Sequence, residues 1–160
     1  MIITLFLPGI TTFPIVLVLI PIVRSLGSKY GLYDNPEGDA LKIHQRPITY
    51  LGGIAIFVAI FITALVSVIF VKVSLGKLLG VLSCGAIVLS LGLWDDLRWK
   101  NKTIYKPIVK FTAQVSVSVL VGVLLSIMGI RIQFIPIPAV MGLLAAFYVF
   151  GAMNAINMQD

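Results

Sequence analysis

The sequence predicts an all-α, polytopic transmembrane helix bundle with about five spans, and three observations predict it. Of the 160 residues, 59% are hydrophobic and only 11% charged, more apolar surface than a domain of this size can hide in one water-soluble core. Several uncharged stretches reach the roughly 20 residues needed to cross a hydrocarbon layer about 30 Å thick. The basic residues fall between those stretches rather than along one soluble face, so the formal net charge of +6 speaks for membrane topology and against a nucleic-acid partner.

The first helix is expected over residues 3–23. Its segment lacks a basic leader and is too long for a signal-peptide core, so it reads as a retained span. Pro8, Pro14 and Pro21 are expected to bend or break it, because each removes a backbone N–H. Residues 24–50 form the longest hydrophilic stretch, and Gly31, Pro36, Gly38 and Pro47 make it a structured loop or short interfacial helix. Further helices are expected over 51–71, 75–94, 110–130 and 135–155. The connections near 72–77 and 131–136 are too short for an extramembrane domain, so residues 1–160 are expected to form a single transmembrane domain. Gly52-Gly53 suits close backbone approach at the start of the second span. Cys84, the single cysteine, lies in the third apolar stretch, where it packs as a small hydrophobe.

With five spans in order, the connections between helices 1 and 2 and between helices 3 and 4 share one side. They carry Arg24, Lys29, Lys42, Arg46, Arg98, Lys100, Lys102, Lys106 and Lys110, against Lys72, Lys77 and Arg131 on the other side. By the positive-inside rule the first side is cytoplasmic and the N-terminus is outside. The acids are not used in that count, yet Asp34, Glu37, Asp39, Asp95, Asp96 and Asp160 all fall on the same side. Acids contribute little to topology. A face rich in both signs is what a site for a charged soluble substrate and a lipid headgroup requires.

Asp95 and Asp96 follow the third apolar run in LGLWDDLRWK, where hydrocarbon gives way to water. Adjacent carboxylates raise each other's proton affinity unless a cation offsets them, so the pair is suited to Mg²⁺ or to accepting a proton. Solvated acids at a helix end are the plainer alternative, although the helix macrodipole disfavours negative charge there. Lys110 opens the fourth span and is held near the membrane surface, as a phosphate-binding point charge would be. The basic cluster before it is also what any cytoplasmic loop carries. Asn154, Asn157 and Asp160, spaced by three in GAMNAINMQD, make one polar stripe at the end of the fifth span. Its amides can read a nucleobase or ribose, or can bond neighbouring helices together. Lys42 and His44 stand in the first loop, and His44, the only histidine, is equally readable as a solvated side chain.

Taken together, Asp34 and Pro36 (D-x-P), Lys42 and His44 (K-x-H), Pro47, Gly52-Gly53, the G-L-W-D-D-L block, Lys110 with Gln114, and N-x-x-N-x-x-D resemble the polyprenyl-phosphate N-acetylhexosamine-1-phosphate transferases, glycosyltransferase family 4. Order and spans match along nearly the whole chain. The D-x-P and K-x-H pattern is more similar to the branch using UDP-N-acetylglucosamine or related sugars than to the branch loading muramyl-pentapeptide. Where the family often has Arg before K-x-H and a second Pro and an Arg before the glycine pair, this chain has Leu41, Thr49 and Tyr50. The family fold has ten or more spans and draws another essential aspartate and a histidine loop from its later half. The resemblance therefore implies an N-terminal portion, without a complete active site of its own.

The resemblance further implies Mg²⁺-dependent transfer of a sugar-1-phosphate from a UDP-sugar to polyprenyl phosphate, releasing UMP, with Mn²⁺ as the alternative ion. The site would lie on the cytoplasmic face of a prokaryotic cytoplasmic membrane, and the work would be cell-envelope glycan synthesis. Asp95 and Asp96 would be the catalytic residues and, with Asp160, the metal ligands. Lys42, His44, Lys110, Asn154, Asn157 and Asp160 would bind substrate. A homodimer is compatible with the pattern. Two other classes fit the composition: half of a cation transporter or channel with Asp95, Asp96 and Asp160 along an ion path, which calls for polar groups near the bilayer midplane, and a non-catalytic membrane scaffold.

Overall fold

Five helices carry the fold in the computed structural model, which describes residues 2–35, 46–70, 74–99, 107–130 and 137–157. They are α1 (Ile2–Tyr30), α2 (Gly52–Phe70), α3 (Leu75–Trp99), α4 (Pro107–Ile127) and α5 (Pro138–Asn157), with a two-stranded ribbon of β1 (Tyr33–Asp34) and β2 (Ile48–Thr49) between α1 and α2. Each helix is long and apolar enough to cross a membrane, and the chain is an integral membrane protein. Two compact units divide it, Met1–Leu78 and Leu79–Asp160.

In the first unit α1 runs unbroken through Pro8, Pro14 and Pro21 and on to Tyr30, so a break at the prolines is corrected, and the stretch from residue 24, expected as a loop or short interfacial helix, begins as a continuation of α1. Hydropathy marks where hydrocarbon ends, but a helix stops only at a stop signal, and here that signal is Gly31. Its φ is 65°, Leu32 N–H donates to the Gly27 carbonyl at 2.8 Å, and Gly31 N–H donates to the Ser28 carbonyl at 3.4 Å, a Schellman cap. The chain then pairs antiparallel, Tyr33 with Thr49 and Asp34 with Ile48. Thr49 ties the ribbon to both helices. Its hydroxyl donates to the Leu32 carbonyl and accepts from Leu51 N–H, each at 3.2 Å, at the start of α2. A Cβ on Gly27 would meet the Thr49 side chain and come within 3.1 Å of the Leu32 carbonyl. Gly52, by contrast, has open space beside it, so it is not a close-packing position as expected.

The seam between α1 and α2 is made of small residues. Ala55, Ala59 and Thr63 recur every four positions on α2 and are its buried residues, while Ile69 is 79% exposed. In lipid, burying a large apolar side chain against protein gains little over leaving it in hydrocarbon, so helices associate through small and hydrogen-bonding residues. The Thr12 and Thr63 hydroxyls meet across the seam at 2.9 Å. Thr12 donates to the Pro8 carbonyl at 2.6 Å, which makes Thr63 the cross-helix donor. Thr63→Val is expected to cost about 0.6 kcal/mol, the size typical of an interhelical bond in a membrane, read as a lower unfolding midpoint in detergent.

The second unit repeats this logic. Pro107 and Pro138 open α4 and α5, where a missing N–H costs nothing. Gly129, with φ of 66°, and the bonds Ile130 N–H to Leu125 O and Gly129 N–H to Ser126 O, both 3.1 Å, make a second Schellman cap after α4. Gln114, Ser118 and Gly122 form the buried stripe of α4, with Val121 beside it. The stripe faces α5 so closely that a Cβ on Gly122 would strike the Gly142 carbonyl, and Ser126 donates across to the Pro138 carbonyl at 2.8 Å. Phe147 and Tyr148, 78% and 77% exposed, point away from protein. Cys84 is buried and free on α3, as expected. At one end of α3, Gly80 packs on the side chain of Met128. Its other end carries the aspartates.

Candidate functional site

Asp95 and Asp96 lie within the last turns of α3, which continues to Trp99 rather than ending near residue 94 as expected. Trp94 and Arg98, one turn apart, stack with the guanidinium 4.9 Å from the ring centroid. Such amphipathic side chains are enriched at membrane–water boundaries. Lys110 is in the first turn of α4, and its Nζ lies 2.6 Å from Asp95 Oδ2, with the two side chains only 13% and 16% exposed. Each partner stands at the helix end its charge disfavours, an acid at a C-terminus and a cation at an N-terminus. Pairing offsets both penalties.

Asn154 reaches the same end by register. Ser126 meets Pro138 and Gly122 meets Gly142, and as many residues separate Gly122 from Lys110 as separate Gly142 from Asn154. Running antiparallel, α4 and α5 thus place Lys110 and Asn154 at one level. Asn154 Nδ2 donates to the Phe150 carbonyl at 2.8 Å, so one of its donors is used within α5 and its oxygen is left to accept. Phe111 and Phe150 close the seam below with an edge-on contact, centroids 5.7 Å apart. Within this unit the structure therefore brings Asp95, Asp96, Lys110 and Asn154 to one end.

Asn157 is the last residue of α5, and its side chain, like Lys42, His44 and Asp160, lies outside the described residues. No group of three His, Cys, Asp or Glu converges among the described residues. The Asp95–Asp96 pair still fits Mg²⁺ by its donor chemistry, since that ion takes one or two carboxylates and completes its shell with water and substrate phosphates. The buried polar side chains among the described residues, Thr63, Gln114 and Ser118, are all uncharged. Gln114 is the residue that sequence reasoning left without a role; its signal was a large amide in an otherwise small-residue stripe.

The chain resembles known proteins in the same region. It is 28% identical over 155 residues to the probable undecaprenyl-phosphate N-acetylglucosaminyl 1-phosphate transferase of Bacillus subtilis (strain 168), a match covering 91% of this chain and 39% of that relative. The chain thus spans about two-fifths of the length of the curated relative it matches. No solved structure matches it. Residues 78–160, which include all of α4 and α5 and nearly all of α3, match the model of glycosyl transferase family 4. The chain belongs to glycosyl transferase family 4.

Proposed function

We propose that the whole gene product transfers N-acetylglucosamine-1-phosphate from UDP-N-acetylglucosamine to a polyprenyl phosphate at the cytoplasmic face of the membrane. An oxygen of the lipid phosphate attacks the β-phosphorus of the UDP-sugar. A new P–O bond forms, the bond between the β-phosphorus and the bridging oxygen breaks, and UMP leaves with that electron pair. The observation that carries this reading is the Asp95–Lys110 ion pair at the boundary-facing end of the family-matching unit.

In such a reaction the protein has little covalent chemistry to do, and catalysis is positioning plus charge neutralisation. Lys110 steadies phosphate, and Asn154, with Asn157 and Asp160, holds the nucleotide. Asp95 and Asp96 would hold Mg²⁺, which supplies Lewis-acid neutralisation of the diphosphate when bound. Lys42 and His44 are further substrate-binding residues in this reading. The name of the Bacillus relative and the family match support the substrate class.

The test is exchange of radiolabelled UMP into UDP-N-acetylglucosamine by membranes carrying the whole gene product. Incorporation is expected to require both polyprenyl phosphate and Mg²⁺, and to stop on chelation and return when Mg²⁺ is restored. Incorporation that ignores the lipid would overturn the reading.

A further inference from the structure

Gln114 is 8% exposed, and its side-chain amide has no hydrogen-bond partner among the described residues. The other buried polar groups are accounted for: Thr63 bonds to Thr12, and the Ser118 hydroxyl donates to the backbone carbonyl of Gln114 at 2.7 Å. An amide brings two donors and two lone pairs, and burial leaves them little access to water. At the same level on α5 stands Phe150, whose ring meets Phe111 and whose carbonyl is already bonded to Asn154. That wall offers the amide nothing.

The position explains the choice of residue. Gln114 lies one turn beyond Lys110 on the same face of α4, at the spacing where helical side chains are neighbours. Helical side chains lean toward the N-terminus, so the Gln114 amide leans toward Lys110 and the end that carries Asp95. We propose that Gln114 is a positioning residue for Lys110: in the substrate-bound state the ammonium leaves Asp95 Oδ2 for the substrate phosphate and is held by Gln114 Oε1. This rests on the phosphate-transfer reading above. One N–H of the ammonium then goes to the amide oxygen and two remain for phosphate oxygens. The resting protein tolerates a buried amide that is unpartnered among the described residues because the working state uses it, as functional sites commonly do.

The proposal separates from a structural role by stability and rate measured together, using the whole gene product in lipid nanodiscs. Gln114→Met keeps the volume and removes the amide. It is expected to leave the unfolding midpoint unchanged or raise it by about 2–4 °C, while kcat falls about 10- to 100-fold and KM for the UDP-sugar moves less than about threefold. Gln114→Glu, which keeps an acceptor oxygen in place, is expected to recover at least about half of that loss on a logarithmic scale. A midpoint that falls with activity, or a Met variant that fails to accumulate, would make the amide structural and overturn the proposal. So would unchanged kcat in the Met variant, or a Glu variant no better than Met. Absent lipid-dependent turnover in the unsubstituted protein would instead sink the transfer reading, and this inference with it.

Discussion

Asp95→Asn is expected to lower UMP exchange about a hundred- to thousandfold, the scale on which a single charge-stabilising group acts in a water-poor site. The substitution keeps the shape of the side chain and removes its charge, so it isolates electrostatics from packing. It also leaves Lys110 beside an uncharged partner. Because both side chains are partly reached by solvent, the loss of stability is expected at about 1–3 kcal/mol, below the 3–5 typical of a fully buried pair. Lys110→Met is expected to produce a loss of similar size. The double variant decides whether the two act as one unit. Its exchange rate should be no lower than that of the worse single variant, and its unfolding midpoint should lie above the sum of the two single effects. Retention of more than about a tenth of the exchange rate by Asp95→Asn would remove this carboxylate from the chemistry.

Most of the helical framework is legible in the sequence because hydropathy and backbone chemistry agree. The apolar runs locate the spans, Pro107 and Pro138 fit the first positions of α4 and α5, and Gly31 and Gly129 provide the left-handed residues that end α1 and α4. The two largest differences between expected and observed helix ends have one reason. Arg24, Ser25, Ser28 and Lys29 are polar, and so are Asp95, Asp96 and Arg98, yet α1 and α3 continue through them. Polarity reports the water boundary, whereas helix continues until its hydrogen bonding is interrupted. The small ribbon of Tyr33–Asp34 with Ile48–Thr49 was missed because two-residue strands carry no periodic signal.

The site was legible residue by residue but not as contacts. Asp95, Lys110 and Asn154 each stand out by type and depth, while the ion pair depends on how α3 aligns with α4, and the level of Asn154 depends on how α4 aligns with α5. Those alignments are set by Gly80 against Met128 and by Gly122 against Gly142, positions at which a composition-based reading sees only more apolar span. The expectation instead placed close approach at Gly52-Gly53, and Gly52 has nothing beside it. Counting large apolar residues finds the membrane. Finding the seam requires counting small residues at every fourth position, as in Ala55, Ala59 and Thr63, or Ser118, Gly122 and Ser126.

The α4–α5 seam should therefore be the most sensitive part of the second unit to added volume. A Cβ at Gly122 would strike the Gly142 carbonyl and lie 3.0 Å from the Ala146 Cβ, so backbone rather than a side-chain tip would have to move. Gly122→Ala is expected to cost about 1–3 kcal/mol through overpacking, with Gly122→Val worse. At Gly142 the same methyl would lie 3.2 Å from the Gly122 carbonyl and 3.4 Å from the Ser126 Cβ, a tight fit that asks only for a small adjustment. At Gly80 it would meet the flexible thioether end of Met128, which can swing aside. The expected order of destabilisation is Gly122→Ala, then Gly142→Ala, then Gly80→Ala, measured as unfolding midpoints in one detergent. Gly122→Ala should also weaken UMP exchange more than its stability loss explains, because spreading α5 from α4 draws Asn154 away from Lys110 and Asp95. An inverted order, with Gly80→Ala the most damaging, would show that the helices are held by large apolar contacts and that the register carrying Asn154 to the site has been misassigned.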